Sequence, residues 1–296
     1  MKSITVVTAR KYDTLSEATP YVANIKKEYE LLKAALEKRS VSVERTFWDN
    51  LNYDWSKPDA ILIRTVWDYF ERYREFADWM ENVSTQTQII NPLPIMKWNG
   101  HKFYLRDLEN KGVQIVPTVF VERGGGRSLP DICKDKGWQN VVIKPAVSAA
   151  AFHAHKVLKD ELELKERTFQ SLLLERDMLV QPFFETIETK GEASLMVFNG
   201  KYTHAVLKKA KSGDFRVQDD FGGTIHSYQP SEKEIEFAEF ANSQCPTPPV
   251  YGRVDIVWDE QDDCYLSEME FLDPEIWLRE KPETAEVLAE GIVKTL

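Results

Sequence analysis

A chain of 296 residues with 43% hydrophobic and 29% charged residues can bury a substantial core and is neither disordered nor fibrous. Its 48 acidic and 38 basic residues leave a net charge of −10, which opposes a phosphate backbone or an anionic membrane, so neither a nucleic-acid nor a membrane partner is expected. There is no apolar run of about 18 residues, and the opening Met1 to Thr8 is too short and too quickly polar for a signal peptide, so none is expected. The cysteines Cys133, Cys245 and Cys264 are odd in number and far apart, which argues against a disulfide framework or a zinc site. A cytoplasmic protein with reduced thiols is expected.

In chain order, the first hundred residues alternate strand and helix signals: an apolar run at 4–8, an amphipathic stretch at 21–38, a β-branched run at 41–43 and a buried-looking strand at 59–64. Such alternation predicts βαβ units around a parallel sheet. Asn91-Pro92-Leu93-Pro94 breaks helix and strand alike and marks a boundary, giving an amino-terminal α/β domain over 1–94. A central lobe over 95–183 then mixes elements. A helix at 102–111 closes at Gly112, a strand at 113–121 contains Pro117, Val141-Val142-Ile143-Lys144-Pro145 is a strand, 160–174 a helix and Met178-Leu179-Val180-Gln181-Pro182 another strand. The remainder, 184–296, is dominated by two hairpins. Asn199-Gly200 joins the first, 192–198 to 201–209, because both turn residues tolerate positive φ.

The second hairpin carries the densest chemistry. Tyr251-Gly252-Arg253-Val254-Asp255-Ile256-Val257-Trp258 is followed by a polar turn and Cys264-Tyr265-Leu266-Ser267-Glu268-Met269-Glu270-Phe271. With the loop at 260–263, Asp259 faces Cys264 and Asp255 faces Glu268. Alternation then puts Asp255, Glu268 and Glu270 on one face with Arg253 beside them, and Val254, Ile256, Trp258, Tyr265, Met269 and Phe271 on the other. Three carboxylates within cross-strand reach destabilise the pair unless a positive charge joins them, and a hard divalent cation such as Mg²⁺ suits that donor set. The bland alternative is a solvated acidic face.

Neither a P-loop nor a G-x-G-x-x-G pattern is present, and Gly124-Gly125-Gly126 leads to no lysine-bearing helix start. The candidate phosphate ligands are instead Lys102, at a predicted helix start, and Lys144, ending a buried strand before the small-residue run Pro145-Ala146-Val147-Ser148-Ala149-Ala150-Ala151. In this order, Lys102, Val142-Ile143-Lys144-Pro145, Val180-Gln181-Pro182-Phe183, Gly191-Glu192, Lys208, Phe215-Arg216-Val217-Gln218, Gly222-Gly223, Asp255 and Glu268-x-Glu270 resemble the ATP-grasp superfamily, and within it the glutathione-synthetase-like carboxylate–amine ligases. The resemblance spans about residues 91–279, roughly two-thirds of the chain.

The resemblance implies an ATP-grasp fold of mixed α/β (α+β) class: an amino-terminal parallel-sheet domain, a small central α+β lobe and a carboxy-terminal antiparallel-sheet lobe. It implies ATP and Mg²⁺ as cofactors. Lys102, Lys144 and Ser148 would contact phosphates, Gln181, Pro182 and Phe183 the adenine, Glu185 or Glu188 the ribose, and Glu192 would lie in the same nucleotide site. Asp255, Glu268 and Glu270 would hold metal. Arg216 and Lys208 would act on the transferring group, with Arg253, Gly222 and Gly223 towards the substrate. Two departures stand out: Glu270 replaces the Asn of the glutathione synthetase pattern, and the loop 148–151 has alanines where relatives carry glycines, whose positive φ alanine does not adopt cheaply.

The implied chemistry is attack of a carboxylate on the γ-phosphate of ATP, giving an acylphosphate for an amine or other nitrogen nucleophile, with ADP and phosphate as products. Ile63-Arg64-Thr65-Val66-Trp67-Asp68-Tyr69 follows a buried-looking strand, where α/β sheets place ligands, and Arg64 and Asp68 could pair with the carboxylate and amine of an amino-acid-like substrate; a structural ion pair is the equal alternative. This stretch is also similar to an ATP-grasp subgroup that includes the O-ureidoserine cyclo-ligase of cycloserine formation. His153, His155, His204 and His226 are assigned no role. A small-molecule phosphotransferase and a catalytically silent ATP-binding module are the rival readings, and assembly into a homo-oligomer is left open.

Overall fold

The computed structural model describes residues 1–16, 19–148, 153–211, 213–214, 216–217 and 222–296. In the amino-terminal part, β1 (Lys2–Thr8), β2 (Val41–Phe47), β3 (Ala60–Ile63) and β4 (Gln88–Ile90) form a parallel sheet in the order β2-β1-β3-β4. Between β1 and β2, α1 (Pro20–Glu37) starts where the Thr19 hydroxyl accepts from the Val22 amide and Pro20 fills the first turn, whose missing N–H costs nothing there. Its buried stripe Val22, Ile25, Leu32, Ala35 and Leu36 covers one face of the sheet, while α2 (Tyr73–Ser84) buries Phe76, Met80 and Val83 on the other side of β3.

After β4, α3 (Leu93–Asn99) and α4 (Tyr104–Asn110) lead to the central lobe. There β5 (Val119–Val121), α5 (Leu129–Lys136), β6 (Val141–Pro145), β7 (His155–Val157), α6 (Leu162–Glu175) and β8 (Met178–Pro182) build an antiparallel sheet, β5-β8-β6-β7, packed on α5 and α6. The strand expected at 113–121 shortens to β5. Residues 114–116 leave for the carboxy-terminal lobe, where the Leu266 amide donates to Gln114 O (2.8 Å) and the Val116 amide to Leu266 O (3.0 Å), and Pro117, unable to donate, separates the two pairings.

A short α7 (Thr186–Thr189) precedes the third sheet, β11-β10-β9-β12-β13, made of β9 (Glu192–Phe198), β10 (Lys201–Lys209), β11 (Thr224–Ser227), β12 (Tyr251–Trp258) and β13 (Cys264–Glu270), all antiparallel. Asn199 and Gly200 turn the β9–β10 hairpin with φ of 54° and 77°, as expected of that pair. α8 (Glu232–Ser243) covers the sheet, and α9 (Thr284–Val293) returns to pack on α1, so one hydrophobic core runs from the amino-terminal sheet into the carboxy-terminal one.

The β12–β13 register departs from the even-loop reading. Asp255 faces Glu268 as expected, but Ile256 faces Leu266 and Trp258 faces Cys264, so Ser267 is an extra residue in β13. The bulge moves Leu266, not Tyr265, into the apolar face with Val254, Ile256, Trp258, Met269 and Phe271, while Tyr265 packs edge-on against Phe184. One inserted residue flips every side chain beyond it, which is why a sequence pattern that assumes an unbroken ladder misplaces Tyr265.

His204 on β10 is buried. One ring nitrogen meets the Ile276 carbonyl at 2.8 Å and the other the Thr203 hydroxyl at 3.0 Å, which suits the neutral ring. Burial pulls its pKa down to about 4. The unfolded chain, whose histidine titrates near 6.5, therefore takes up a proton that the folded chain refuses, so the stability held above that pH is lost progressively as pH falls towards 4. In denaturant titrations at pH 7 and pH 5, His204→Gln is expected to narrow the difference between the two midpoints; an unchanged difference would show that His204 is not a source of it.

Candidate active site

Between the three sheets lies a cleft of about 630 Å³. Strand alternation delivers its basic wall: on β6, Val141, Ile143 and Pro145 face the lobe core, while Val142 and Lys144 face the cleft. Lys102 sits just before α4, pinned because its amide donates to Ala146 O (2.7 Å) and its ammonium to Ser148 O (2.8 Å). Gln181, Pro182 and Phe183 border the same cleft at the end of β8, with Gln181 held by the Thr118 hydroxyl (2.9 Å).

The acidic wall comes from the carboxy-terminal sheet. β13 is an edge strand, and its free backbone groups are taken by the preceding helices: Asn99 Nδ2 donates to Met269 O (2.8 Å), the Phe271 amide donates to Asn99 Oδ1 (2.9 Å), and the Tyr104 hydroxyl accepts from the Met269 amide (2.7 Å). That clamp fixes the direction in which Glu268 and Glu270 project. Glu192 starts β9 and faces Lys208 near the end of β10, and Gly191 before Glu192 holds φ of 96° with the Lys208 carbonyl so close that a Cβ would lie 2.3 Å from it, so only glycine fits.

Four cations and four carboxylates interlock here. Lys102 binds Glu268 (2.6 Å), Lys208 binds Glu192 and lies 3.4 Å from Asp255, and Arg253 grips both oxygens of Asp255 (2.8–3.0 Å) and reaches Glu270 (2.6 Å). Lys144 completes the set. Burial lowers its pKa against the pull of Glu268. Burial would raise Asp255, but Arg253 and Lys208 outweigh it and bring it down to about 2. Glu270 goes the other way, up to about 7, because burial and the neighbouring Glu268 and Asp255 exceed what Arg253 offsets.

The donor chemistry decides which carboxylates could take a metal. Asp255 is almost wholly buried and already accepts from Arg253, Ser194 and Lys208, leaving little acceptor capacity. Glu268 and Glu270 keep 27% and 31% of their side chains exposed, with one cationic partner each. Their hard oxygens fit Mg²⁺. Among the described residues no group of three or more His, Cys, Asp or Glu side chains is set to hold a metal ion. Of the trio read from sequence, Glu268 and Glu270 are open to the cleft and Asp255 is held by Arg253.

The other sequence candidates are placed unevenly. Arg216 lines the cleft beside Asp214, with which it pairs at 2.6 Å. Glu185 and Glu188 meet Lys156 at 4.0 and 2.6 Å, outside the cleft lining. Gly222, with φ of 81°, and Gly223 also lie off it. Ala149, Ala150, Ala151, Phe215 and Gln218 lie outside the described residues. Arg64 is buried with its guanidinium donating to Pro274 O (2.6 Å), and Asp68 accepts from Trp48 Nε1 (3.2 Å), so neither charge points into the cleft wall. What sequence reasoning missed is Asp273, whose carboxylate accepts from the Thr65 and Val66 amides (2.7 and 2.5 Å), and Ser267, whose hydroxyl donates to Glu192 (3.2 Å). Nothing local to Asp273 signalled a contact 208 residues away.

Three sheets closing on a cleft with lysines on one wall and carboxylates on the other define the ATP-grasp fold. The comparisons agree: residues 4–91 match the family described as "D-cycloserine synthetase DcsG, N-terminal domain". The cycloserine biosynthesis protein DcsG of Streptomyces lavendulae is 27% identical over 274 residues, covering 86% of this chain and 89% of that protein. The crystal structure of D-cycloserine synthetase DcsG superposes with a TM-score of 0.86 over 99% of each chain at 24% identity. The D-alanine–D-alanine ligase of Bacillus anthracis, in complex with ATP, superposes with a TM-score of 0.67 over 100% of this chain and 97% of its own at 13% identity. The ATP-grasp recognition and the ligase class read from the sequence agree with these relatives. Among the described residues no helix is long and apolar enough to cross a membrane.

Proposed function

We propose that the chain is an ADP-forming carboxylate–amine ligase that uses ATP with Mg²⁺ to activate a small amino-acid-like acid. The observation that carries this is the interlocked set of Lys102, Lys144, Lys208 and Arg253 with Glu192, Asp255, Glu268 and Glu270 in one cleft. Its four cations already face four carboxylates, of which Glu270 is only partly charged near neutral pH, so a polyphosphate alone would add negative charge that the set does not fully compensate, whereas a nucleotide entering with divalent cation would not.

Lys102 would leave Glu268 and, with Lys144, take phosphate oxygens, Gln181 to Phe183 would border the base, and Arg216 and Lys208 would face the transferring group. Glu268 and Glu270 would hold Mg²⁺, which when bound neutralises phosphate charge. A substrate carboxylate oxygen attacks the γ-phosphorus and ADP leaves. A nitrogen nucleophile then attacks the acyl carbon, phosphate leaves, and the nitrogen gives up its proton. The chain's part is alignment and charge balance, and no side-chain nucleophile is required. Similarity to cycloserine-forming relatives favours a substrate that carries its own nitrogen nucleophile, so that the product is a ring.

The test is ADP release from ATP and Mg²⁺ against a panel of D- and L-amino acids and O-substituted serines, with products identified by mass. Amino-acid-dependent ADP accompanied by a new C–N bond and free phosphate is expected. ADP with a stable phosphorylated product would transfer the assignment to a kinase, and no amino-acid dependence would remove the ligase reading.

A further inference from the structure

The segment that follows β3 is fastened both to β1 of its own sheet, where the Arg64 amide donates to Val7 O (2.8 Å) and the Thr65 and Thr8 hydroxyls meet at 2.6 Å, and to the carboxy-terminal lobe. Arg64 donates to Pro274 O (2.6 Å), the Thr65 and Val66 amides donate to the Asp273 carboxylate (2.7 and 2.5 Å), and Trp67 Nε1 donates to Asp273 O (3.3 Å). Thr65 holds φ of 63°, a left-handed conformation that a β-branched residue rarely adopts, so these contacts override local preference. The Tyr69 amide then closes a turn on Val66 O (2.9 Å).

The result is a phenol set on the cleft wall. The Tyr69 ring is packed among Phe70, Tyr73 and Phe76, with centroids 6.1, 6.5 and 5.4 Å away, and its hydroxyl has no hydrogen-bond partner among the described residues. The ionisable groups that act on it most are Glu270, Glu268 and Asp273. Tyr69 lines the same cleft as Glu268, Glu270 and Asp273. Several side-chain donors nearby are committed, Arg64 and Trp67 to the Asp273–Pro274 backbone, Arg253 to Asp255 and Glu270, and Arg279 to Glu28 (3.2 Å) and Glu275 (2.7 Å), while the Lys11 ammonium on the same cleft lies over the Tyr12 ring (4.8 Å). A phenol is protonated at neutral pH and donates one hydrogen bond.

We infer that the Tyr69 hydroxyl donates a hydrogen bond to the carboxylate of the amino-acid-like substrate and so positions the oxygen that is phosphorylated. The inference rests on the ligase reading above and adds a substrate contact to it. An acid to be activated must come to rest in this cleft, and a neutral O–H there gives it a partner without adding a charge that would have to be balanced. The Asp273 fastening supplies the position: it holds the loop at the height of β13's end, three residues after Glu270.

Tyr69→Phe tests this, because it keeps the ring packing and deletes only the donor. The probe is the amino acid of the panel that gives the wild-type chain its largest ADP release, or, if none turns over, the one that binds most tightly by calorimetry in the presence of AMPPNP and Mg²⁺. The KM or Kd for that amino acid is expected to rise about tenfold or more, as for loss of a hydrogen bond to a charged group, while the KM for ATP and the thermal midpoint stay at wild-type values. An amino-acid constant within twofold of wild type, or one that rises together with the KM for ATP, would overturn the assignment. Wild-type turnover with an unaffected variant removes Tyr69 and leaves the ligase. A wild-type chain that binds an amino acid without releasing ADP removes the ligase while the Kd comparison still decides Tyr69, and one that binds none removes both.

Discussion

Replacing Glu268 by Gln is expected to lower amino-acid-dependent ADP release by at least about a hundredfold, the cost typical of deleting one preorganised electrostatic group at a site of developing charge. Glu268 is the carboxylate on which the site turns. It faces Asp255 across the β12–β13 ladder, takes the Lys102 ammonium at 2.6 Å, and its charge is stabilised by Lys102 and Lys144 against the cost of burial. Gln is nearly isosteric but carries no charge, so two cations lose their counterion and the cleft loses half of its open carboxylates. The loss should appear in kcat and in the Mg²⁺ concentration needed for half-maximal rate, with Lys144→Ala giving a deficit in the KM for ATP instead. If both variants turn over at wild-type rates, these residues are not the nucleotide site.

Asp255→Ala is expected to cost about 3–5 kcal/mol of stability, the range for breaking a buried ion pair from one side. Asp255 is 2% exposed, and Arg253, Lys208 and Ser194 all depend on it. Removing it leaves a guanidinium and an ammonium buried in the strands of the central hairpins with Glu270 and Glu192 as their remaining partners. Chemical denaturation with the slope unchanged and the midpoint lowered would report it. A loss below about 1 kcal/mol, the value for solvated surface pairs, would mean that water reaches the cluster freely. The contrast with Glu268→Gln is the informative part: one variant should fold normally and fail in turnover, and the other should be impaired in folding before turnover is considered.

Much of this site was legible in the chain. Alternating strands with an Asn-Gly turn, and an Asp255 facing Glu268, follow from the two-residue period of a strand and from the conformations that Asn and Gly tolerate, both of which are local. The same period separated Lys144 from the core side chains of its strand. The bulge at Ser267 was not legible, because a hydrophobic pattern records which residues are apolar and not where a ladder admits an extra one. Nor was the fate of Arg64 and Asp68. The motif containing them does reach the cleft, but through Trp67, Tyr69 and Phe70, while the charged members turn to Pro274 O and Trp48.

By itself, then, the sequence determined the kinds of charge, their order and the strand faces that carry them, since these depend on neighbours one to four residues away. Only the tertiary structure decided which cation meets which carboxylate, that Asp255 is used up by Arg253 while Glu268 and Glu270 stay open, and that Asp273 fastens a loop 208 residues earlier in the chain. Those choices depend on how three sheets meet, and the energy of an ion pair depends on a few ångströms of separation and on the exclusion of water, neither of which any single stretch of sequence encodes.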